Sequence, residues 1–257
     1  MHTPRHSICS SEKSLLLIRV IGICLLCWPM LAQTKEPPFE WDPGFSSPGT
    51  SLSIDVRHVG ETIGPAGSMV VISIKSTGFA EAASTLALWE YRGGEYYERE
   101  PTLSADGMVQ DMLGNDFMFL GGYIRGQPFD IALVDKATKK RAHAKITPFP
   151  ITAEGDGGCQ ASAEVLTKSG LVWLITLAGY GAGEQVRITS VYKSKAYLLA
   201  KKETLTDDVA ASGTGEIAFP ILYPKRSKGK AQVTAKGSRG CNVSLDFAIG
   251  KSALKAK

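Results

Sequence analysis

The sequence is poor in the residues that carry much of enzyme chemistry. It holds four histidines in 257 residues, and two of them, His2 and His6, lie within the first ten. His58 and His143 each stand alone in a strand-like context. We find no G-x-S-x-G, no H-E-x-x-H, no phosphate-binding glycine loop and no calcium loop of alternating acidic residues. We therefore predict a non-catalytic protein with no cofactor and no metal site.

The acidic residues show no spacing that would bring them together for catalysis. Asp106, Asp111 and Asp116 recur every five residues, which suits neither one face of a strand nor an EF-hand. We interpret them as turn residues, with a weak loop calcium site as the alternative. Composition alone leaves open a pair of acids for glycoside hydrolysis. The alternative function is therefore an accessory protein or small hydrolase acting on a cell-surface polysaccharide.

The apolar run near the start of the chain is too short to cross a bilayer. Val20–Leu31 spans 12 residues, where a membrane-spanning helix needs about 20. It follows a basic segment and ends at Ala32, which is typical of a secretory signal peptide. We predict that residues 1–32 are a signal peptide and that the mature chain begins near Gln33. It would have no transmembrane segment and would be periplasmic or secreted; an uncleaved anchor is the alternative.

Cysteine is scarce once the predicted signal peptide is set aside. Three of the five cysteines lie within it, and Cys159 and Cys241 remain. Two cysteines near the two ends of one predicted domain, in an oxidising compartment, favour a disulfide over a metal or redox site. A reactive thiol pair is the alternative.

Residues 33–50, QTKEPPFEWDPGFSSPGT, carry four prolines and neither a strand nor a helix period. This composition predicts a linker or arm. Its aromatic residues Phe39, Trp41 and Phe45 are unusual in a solvated tail, so we expect part of the arm to pack on the domain that follows. Docking into a partner is the alternative.

The remainder of the chain runs twice through the same order of strand-like elements. Met69–Ile74 followed by Gly78 parallels Leu171–Leu177 followed by Gly179, and each half closes with a predicted hairpin. No helical period interrupts the short alternating segments. The pattern predicts an all-β chain of two tandem Greek-key β-sandwich domains. They would span residues 51–148 and 149–250, with a basic tail at 251–257 and a stiff proline-containing boundary at Thr147–Pro150.

One glycine-rich corner carries a resemblance to a known family. Gly179–Ser190, GYGAGEQVRITS, resembles a motif common in bacterial extracytoplasmic immunoglobulin-like domains, roughly Gly-(aromatic)-x-x-Gly-Glu-x-Val-x-Val-x-Ser. The resemblance covers mainly residues 151–250 and implies an immunoglobulin-like fold there. The internal repeat extends that expectation to the first half. Such domains serve as stalks, adhesin modules, inhibitors and enzyme accessories, so the resemblance implies no catalytic or ligand-binding residue.

Charge differs between the two halves. Residues 33–148 hold 11 Lys and Arg against 15 Asp and Glu, whereas residues 149–257 hold 15 against 9. Much of the positive charge is concentrated in one segment, at Lys225, Arg226, Lys228 and Lys230. A basic loop can hold lipid headgroups, an acidic polysaccharide or a cell-wall polymer, and the alternative is that these lysines serve solubility. Nucleic acid is disfavoured, because the chain is expected to be exported and no base-stacking aromatics accompany the lysines.

The segment Leu86–Glu100, LALWEYRGGEYYERE, predicts a hairpin that turns at Gly93 and Gly94. That register places Trp89, Tyr91 and Tyr96 on the outer face, which would form a docking platform for a protein or a glycan. The alternative is that the arm or the second domain covers them. We therefore predict an exported, non-catalytic binding or structural module of the bacterial cell envelope or exterior.

Overall fold

The computed structural model describes residues 36–64, 67–79, 85–196 and 199–255. The regular structure of these residues is antiparallel β-sheet, apart from a short 3-10 helix at Ala253–Lys255. The predicted all-β fold is thus confirmed. The predicted signal peptide, residues 1–32, lies outside the described residues. Within the part of the chain that the structure describes, no helix is long and apolar enough to span a membrane.

The first half of the chain forms two facing sheets, which we call the first sheet pair. Its strands are β1 (Ser53–Gly64), β2 (Gly67–Thr77), β3 (Leu86–Arg92), β4 (Glu95–Arg99), β5 (Thr102–Leu103), β6 (Val109–Gln110), β7 (Phe117–Gly121), β8 (Phe129–Asp135) and β9 (Arg141–Ile146). One sheet has the order β1-β2-β7 and the other β4-β3-β8-β9, while β5 and β6 form a short ladder. Their inner faces share one core, to which Ile72, Leu88, Leu120 and Ile131 belong.

The second half repeats this arrangement as the second sheet pair. Its strands are β10 (Ile151–Glu154), β11 (Gln160–Val165), β12 (Val172–Ala178), β13 (Gln185–Ala196), β14 (Leu199–Ala210), β15 (Ile217–Leu222), β16 (Ser227–Gly237) and β17 (Asn242–Gly250). The sheets have the orders β10-β11-β12-β15 and β14-β13-β16-β17. The order β11-β12-β15 corresponds to β1-β2-β7, and the order β14-β13-β16-β17 corresponds to β4-β3-β8-β9. The repeat seen along the sequence is therefore also seen in the order of strands within the sheets.

Alternation with a period of two explains why these segments are strands with one buried face. In β12 the side chains of Trp173, Ile175 and Leu177 are fully buried, and the residues between them are half-buried. Burying a large aliphatic or aromatic side chain contributes about 1.5–3 kcal/mol. These three residues therefore anchor the second core, where the indole of Trp173 packs against the ring of Phe247 with centroids 4.4 Å apart.

The glycine-rich corner between β12 and β13 is held by a buried carboxylate. Gly179 has a φ of +85°, and a Cβ atom there would lie 2.8 Å from the carbonyl oxygen of Gly158. The Glu184 carboxylate accepts hydrogen bonds from the backbone N–H groups of Gly181 and Arg239, both at 2.8 Å. These bonds hold the pKa of Glu184 below its usual range. The residues that carry the family resemblance therefore serve the architecture of this corner.

A disulfide joins Cys159 to Cys241, as the sequence predicts, with Cα atoms 6.0 Å apart. Both cysteines are buried. Cys159 directly precedes β11 and Cys241 directly precedes β17, so the bond links the two sheets of the second pair. The closed loop is long, with a sequence separation of 82. In the chain-entropy model a loop of this length contributes on the order of 4 kcal/mol.

The two sheet pairs are joined by residues 147–150 and by the loop before β8. In this loop Ile124 is buried in the core of the second pair. The N–H group of Gly126 donates to the carbonyl of Phe149, and the N–H group of Val165 donates to the carbonyl of Gly126, both at 2.9 Å. Backbone of the first half is thus hydrogen-bonded to the connection at Phe149 and to the end of β11, which brings side chains from both halves to one junction.

Candidate functional site

The β3–β4 hairpin has the register that the sequence predicts. Gly93 and Gly94 both have positive φ, +56° and +89°, as a two-residue hairpin turn requires. Trp89 lies opposite Glu98, and Tyr91 lies opposite Tyr96. The aromatic side chains consequently face away from the core, and the outer face of the β4-β3-β8-β9 sheet is the first candidate surface.

The N-terminal arm covers this face. Trp89 is therefore buried and does not belong to an exposed binding surface, which corrects the prediction for this residue. Only 2% of Trp89 is exposed, and Phe39 and Trp41 of the arm pack over it together with Tyr96. The Trp41 ring lies 6.0 Å from the rings of Tyr91 and Tyr96, centroid to centroid. Of the two alternatives left open by the sequence, coverage by the arm is the one observed. Tyr91 and Tyr96 stay half-buried beside it.

Backbone pairing with the edge of β9 holds the arm in place. The N–H group of Ser47 donates to the carbonyl of Arg141 at 3.0 Å, and the N–H group of His143 donates to the carbonyl of Phe45 at 2.8 Å. His143 is buried, with the rings of Phe39 and Trp41 both 5.3 Å away. Burial, with the nearby Arg141 guanidinium, lowers the pKa of His143 to about 4. His143 is therefore a neutral packing residue at pH 7.

A buried ion pair lies on the inner side of the same hairpin. The Nε atom of Arg92 is 2.7 Å from Oε1 of Glu90, and both residues are buried. Burial raises the pKa of Glu90, although Arg92 and Arg99 act to lower it. Arg92 donates to the carbonyl of Gly121, and Arg99 donates to the carbonyl of Phe119, so both arginines bond to the free edge of β7. We interpret the cluster as a structural link between the β3–β4 hairpin and the edge of β7, since both arginines donate hydrogen bonds to β7 carbonyls.

The three spaced aspartates include one that clearly makes a turn, as predicted. Oδ1 of Asp111 accepts hydrogen bonds from the N–H groups of Leu113 and Asn115, at 2.8 and 3.0 Å. The Asn115 side-chain amide donates to Oδ2 of Asp111 at 2.9 Å, and this bond, with the two backbone bonds, holds the pKa of Asp111 below its usual range. Among the described residues, no group of three His, Cys, Asp or Glu side chains is arranged to hold a metal ion.

The basic residues of the second half converge on a groove. Lys225, Arg226 and Lys228 are exposed and line a groove of about 970 Å³ together with Lys251 from the predicted tail. Lys228 pairs with Gly250 across β16 and β17, which brings the β15–β16 connection beside the end of β17. We call this the basic groove; Ser169, Leu171 and Leu254 complete its walls. It belongs to the second sheet pair, so the structure places the basic residues and the aromatic face on different pairs.

Lys230, the last residue of the predicted basic segment, lines a neighbouring hollow of about 470 Å³. This junction hollow takes side chains from both halves of the chain: Arg125 precedes β8, Thr152 lies on β10 and Asp246 lies on β17. The Arg125 guanidinium carbon lies 5.5 Å from the ring centroid of Phe149. The sequence pattern singles out neither Arg125 nor Asp246, because they are 121 positions apart and meet only through the junction.

Comparisons with known proteins identify no family for this chain. No protein-family model matches the sequence, and no curated protein matches it. Among solved structures, a Salmonella alpha-2-macroglobulin reacted with methylamine is similar at 12% sequence identity and a TM-score of 0.22. That match covers 83% of this chain and 17% of the other. The chain thus spans less than a fifth of that protein, and a likeness of this size carries no argument about fold or function.

Proposed function

We propose that this chain is an exported, non-catalytic binding module of the bacterial envelope or exterior that holds an anionic surface in its basic groove. The observation that carries the proposal is the convergence of Lys225, Arg226, Lys228 and Lys251 around one open groove. The aromatic face, the other candidate, is covered by the chain's own arm. The basic residues are therefore the part of the candidate surface that stays accessible.

The charge of the groove is of one sign. Among its described lining residues there is no Asp or Glu. Cations that line a concave surface focus the field and raise the local concentration of anions. Leu254, which is 55% exposed, adds apolar surface at the rim. A patch of this kind suits a polyanion with exposed apolar carbon better than a small free ion.

Export and domain organisation are part of the proposal. The Cys159–Cys241 disulfide supports an oxidising compartment, which is the periplasm or the exterior. The matching strand orders of the two sheet pairs support two tandem immunoglobulin-like sandwiches with the bounds 51–148 and 149–250. The basic groove lies on the second of them, beside the end of β17.

The alternative of a small polysaccharide hydrolase finds less support. A glycosidase of the common type needs two carboxyl groups that face each other across the substrate. Among its described lining residues the junction hollow has a single acidic side chain, Asp246. The buried carboxylate of Glu90 is engaged with Arg92 instead.

A binding panel tests the proposal. The purified protein would be titrated with polygalacturonate, with polyphosphate and with phosphatidylglycerol vesicles, each beside a neutral counterpart. We expect salt-sensitive binding to at least one anionic probe, and a loss of about tenfold for Lys228→Glu. Lys236→Glu is the matched control, because Lys236 is exposed on the same strand and far from the groove. Equal affinity for anionic and neutral probes would overturn the proposal.

A further inference from the structure

We infer that the junction hollow binds one acidic sugar unit of an anionic glycan whose neighbouring part lies in the basic groove. This inference rests on the proposed function and names the class of ligand. It requires that the hollow and the groove be continuous, that the hollow offer partners for both a carboxylate and hydroxyl groups, and that its size suit a sugar.

The hollow and the basic groove adjoin along β16 and along the 3-10 helix at Ala253–Lys255. Lys228 lines the groove and Lys230 lines the hollow, two residues apart on the same exposed side of one strand. Their Cα atoms are therefore about 6.6 Å apart. Ala253 borders the hollow and the next residue, Leu254, borders the groove. One extended chain can thus lie across both.

Two cations are placed to hold a carboxylate in the hollow. Arg125 and Lys230 come from opposite sides of the junction. The guanidinium of Arg125 lies over the ring of Phe149, which restricts its conformations before a ligand binds. A guanidinium presents paired N–H donors that match the two oxygens of a carboxylate. Lys230 adds a second positive charge beside the Lys228 of the groove.

Asp246 distinguishes a sugar from a bare anion. A carboxylate in the wall of the hollow repels a ligand that presents only anionic oxygens. A sugar also presents hydroxyl groups, which can donate to this carboxylate and to the side chain of Thr152. The apolar residues Pro150, Ile151 and Ala248, which keep exposed surface, also line the hollow, and the apolar face of a sugar ring would pack there. The combination of two cations, one acid and an apolar wall matches an acidic sugar.

The size of the hollow agrees with such a ligand. Its volume of about 470 Å³ falls in the range of about 300–1,000 Å³ that small-molecule sites occupy. Because both sheet pairs supply walls, a bound sugar would also bridge the junction. Binding would therefore stabilise the arrangement of the two halves in addition to anchoring the glycan.

The direction in which one substitution changes the affinity distinguishes a sugar site from nonspecific electrostatic attraction. Asp246→Asn removes a negative charge, so nonspecific attraction to a polyanion should grow stronger. If Asp246 accepts hydrogen bonds from sugar hydroxyls, the same substitution should weaken binding of an acidic glycan by about tenfold. The control is Asp207→Asn, which removes an exposed negative charge on β14.

The test is calorimetric titration of the purified protein and its variants with polygalacturonate, dextran sulfate and phosphatidylglycerol vesicles. We expect polygalacturonate affinity to fall about tenfold in Arg125→Ala and in Asp246→Asn. Asp207→Asn and Lys236→Glu should stay within about twofold of the wild type. Thermal melting of each variant confirms that it is folded.

Two results would overturn the inference while leaving the proposed function intact. One is an Asp246→Asn variant that binds polygalacturonate as tightly as the wild type or more tightly. The other is a wild type that binds the vesicles or dextran sulfate but not polygalacturonate. Failure of the wild type to bind any of these three probes, and polyphosphate as well, would overturn both the inference and the proposed function.

Discussion

The ring of Phe39 packs edge-on against the indole of Trp89, with ring centroids 6.1 Å apart. The arm thereby turns an outward-facing residue of β3 into a core residue that is 2% exposed. We predict that Trp89→Ala lowers the free energy of unfolding of the first half by about 3–5 kcal/mol. Urea denaturation monitored by circular dichroism measures this change in the free energy of unfolding. A loss of less than about 1 kcal/mol would mean that the arm does not cover this face in solution.

The buried His143 predicts a loss of stability in acid. Its pKa is about 4 in the folded chain, below its usual value of 6.5, because burial and Arg141 disfavour the charged form. The unfolded chain takes up the proton first, so the contribution of His143 is present above pH 6.5 and is lost as the pH falls toward 4.

The replacement His143→Gln should flatten this part of the pH dependence. Thermal melts of both proteins at pH 7.5, 5.5 and 4.5 measure the difference. Asp130, whose pKa burial raises to about 6, titrates in the same window but is present in both proteins, so it cancels. An unchanged slope in the variant would show that His143 is not buried by the arm.

The disulfide predicts a selective effect on the second half. Replacing Cys159 and Cys241 together by Ala should lower its free energy of unfolding by up to about 4 kcal/mol, because the unfolded chain is no longer cross-linked. Hydrogen exchange resolved by mass spectrometry should show faster exchange in β12, where Trp173 is buried, and no change in β8. Equal acceleration in both strands would contradict separate stabilisation of the two cores.

The Glu90–Arg92 pair predicts a large cost when one partner is removed. Arg92→Ala leaves a buried carboxylate without its nearest cation and should cost about 3–5 kcal/mol. The double replacement Glu90→Leu with Arg92→Met should cost less, because no charge stays buried.

The matched control for this pair is exposed. Arg57 and Asp55 form an ion pair with side chains 76% and 54% exposed, and Arg57→Ala should cost less than about 1 kcal/mol. Denaturant unfolding of the four proteins tests the set. If Arg92→Ala and Arg57→Ala cost the same, the cluster does not close the edge of β7.

Local patterns in the sequence predicted local structure well. Gly93 and Gly94 define the hairpin turn, since a two-residue loop with both φ values positive allows one register, and that register is observed. Alternation with a period of two placed Leu88 inside and Trp89 on the opposite face. Once an oxidising compartment was inferred, the presence of two cysteines in one predicted domain predicted the disulfide that is observed.

Relationships between distant segments could not be predicted in the same way. The arm has no period, so nothing in its sequence shows that Phe39 and Trp41 lie on Trp89, and the exposure of that residue had to stay open. Arg125 and Asp246 each look like ordinary surface charges along the chain. Their shared hollow depends on how residues 147–150 set one sheet pair beside the other.

The central claim is that the basic groove, and not net charge alone, holds an anionic surface. The most direct measurement compares two double variants, each titrated with polygalacturonate. The groove variant carries Lys228→Glu and Lys251→Glu, and the control variant carries Lys202→Glu and Lys236→Glu. Both proteins carry the same change in net charge, but only the first pair of residues lines the groove. We predict a loss of at least about tenfold for the groove variant and a change within about twofold for the control. Equal losses in the two proteins would contradict the claim.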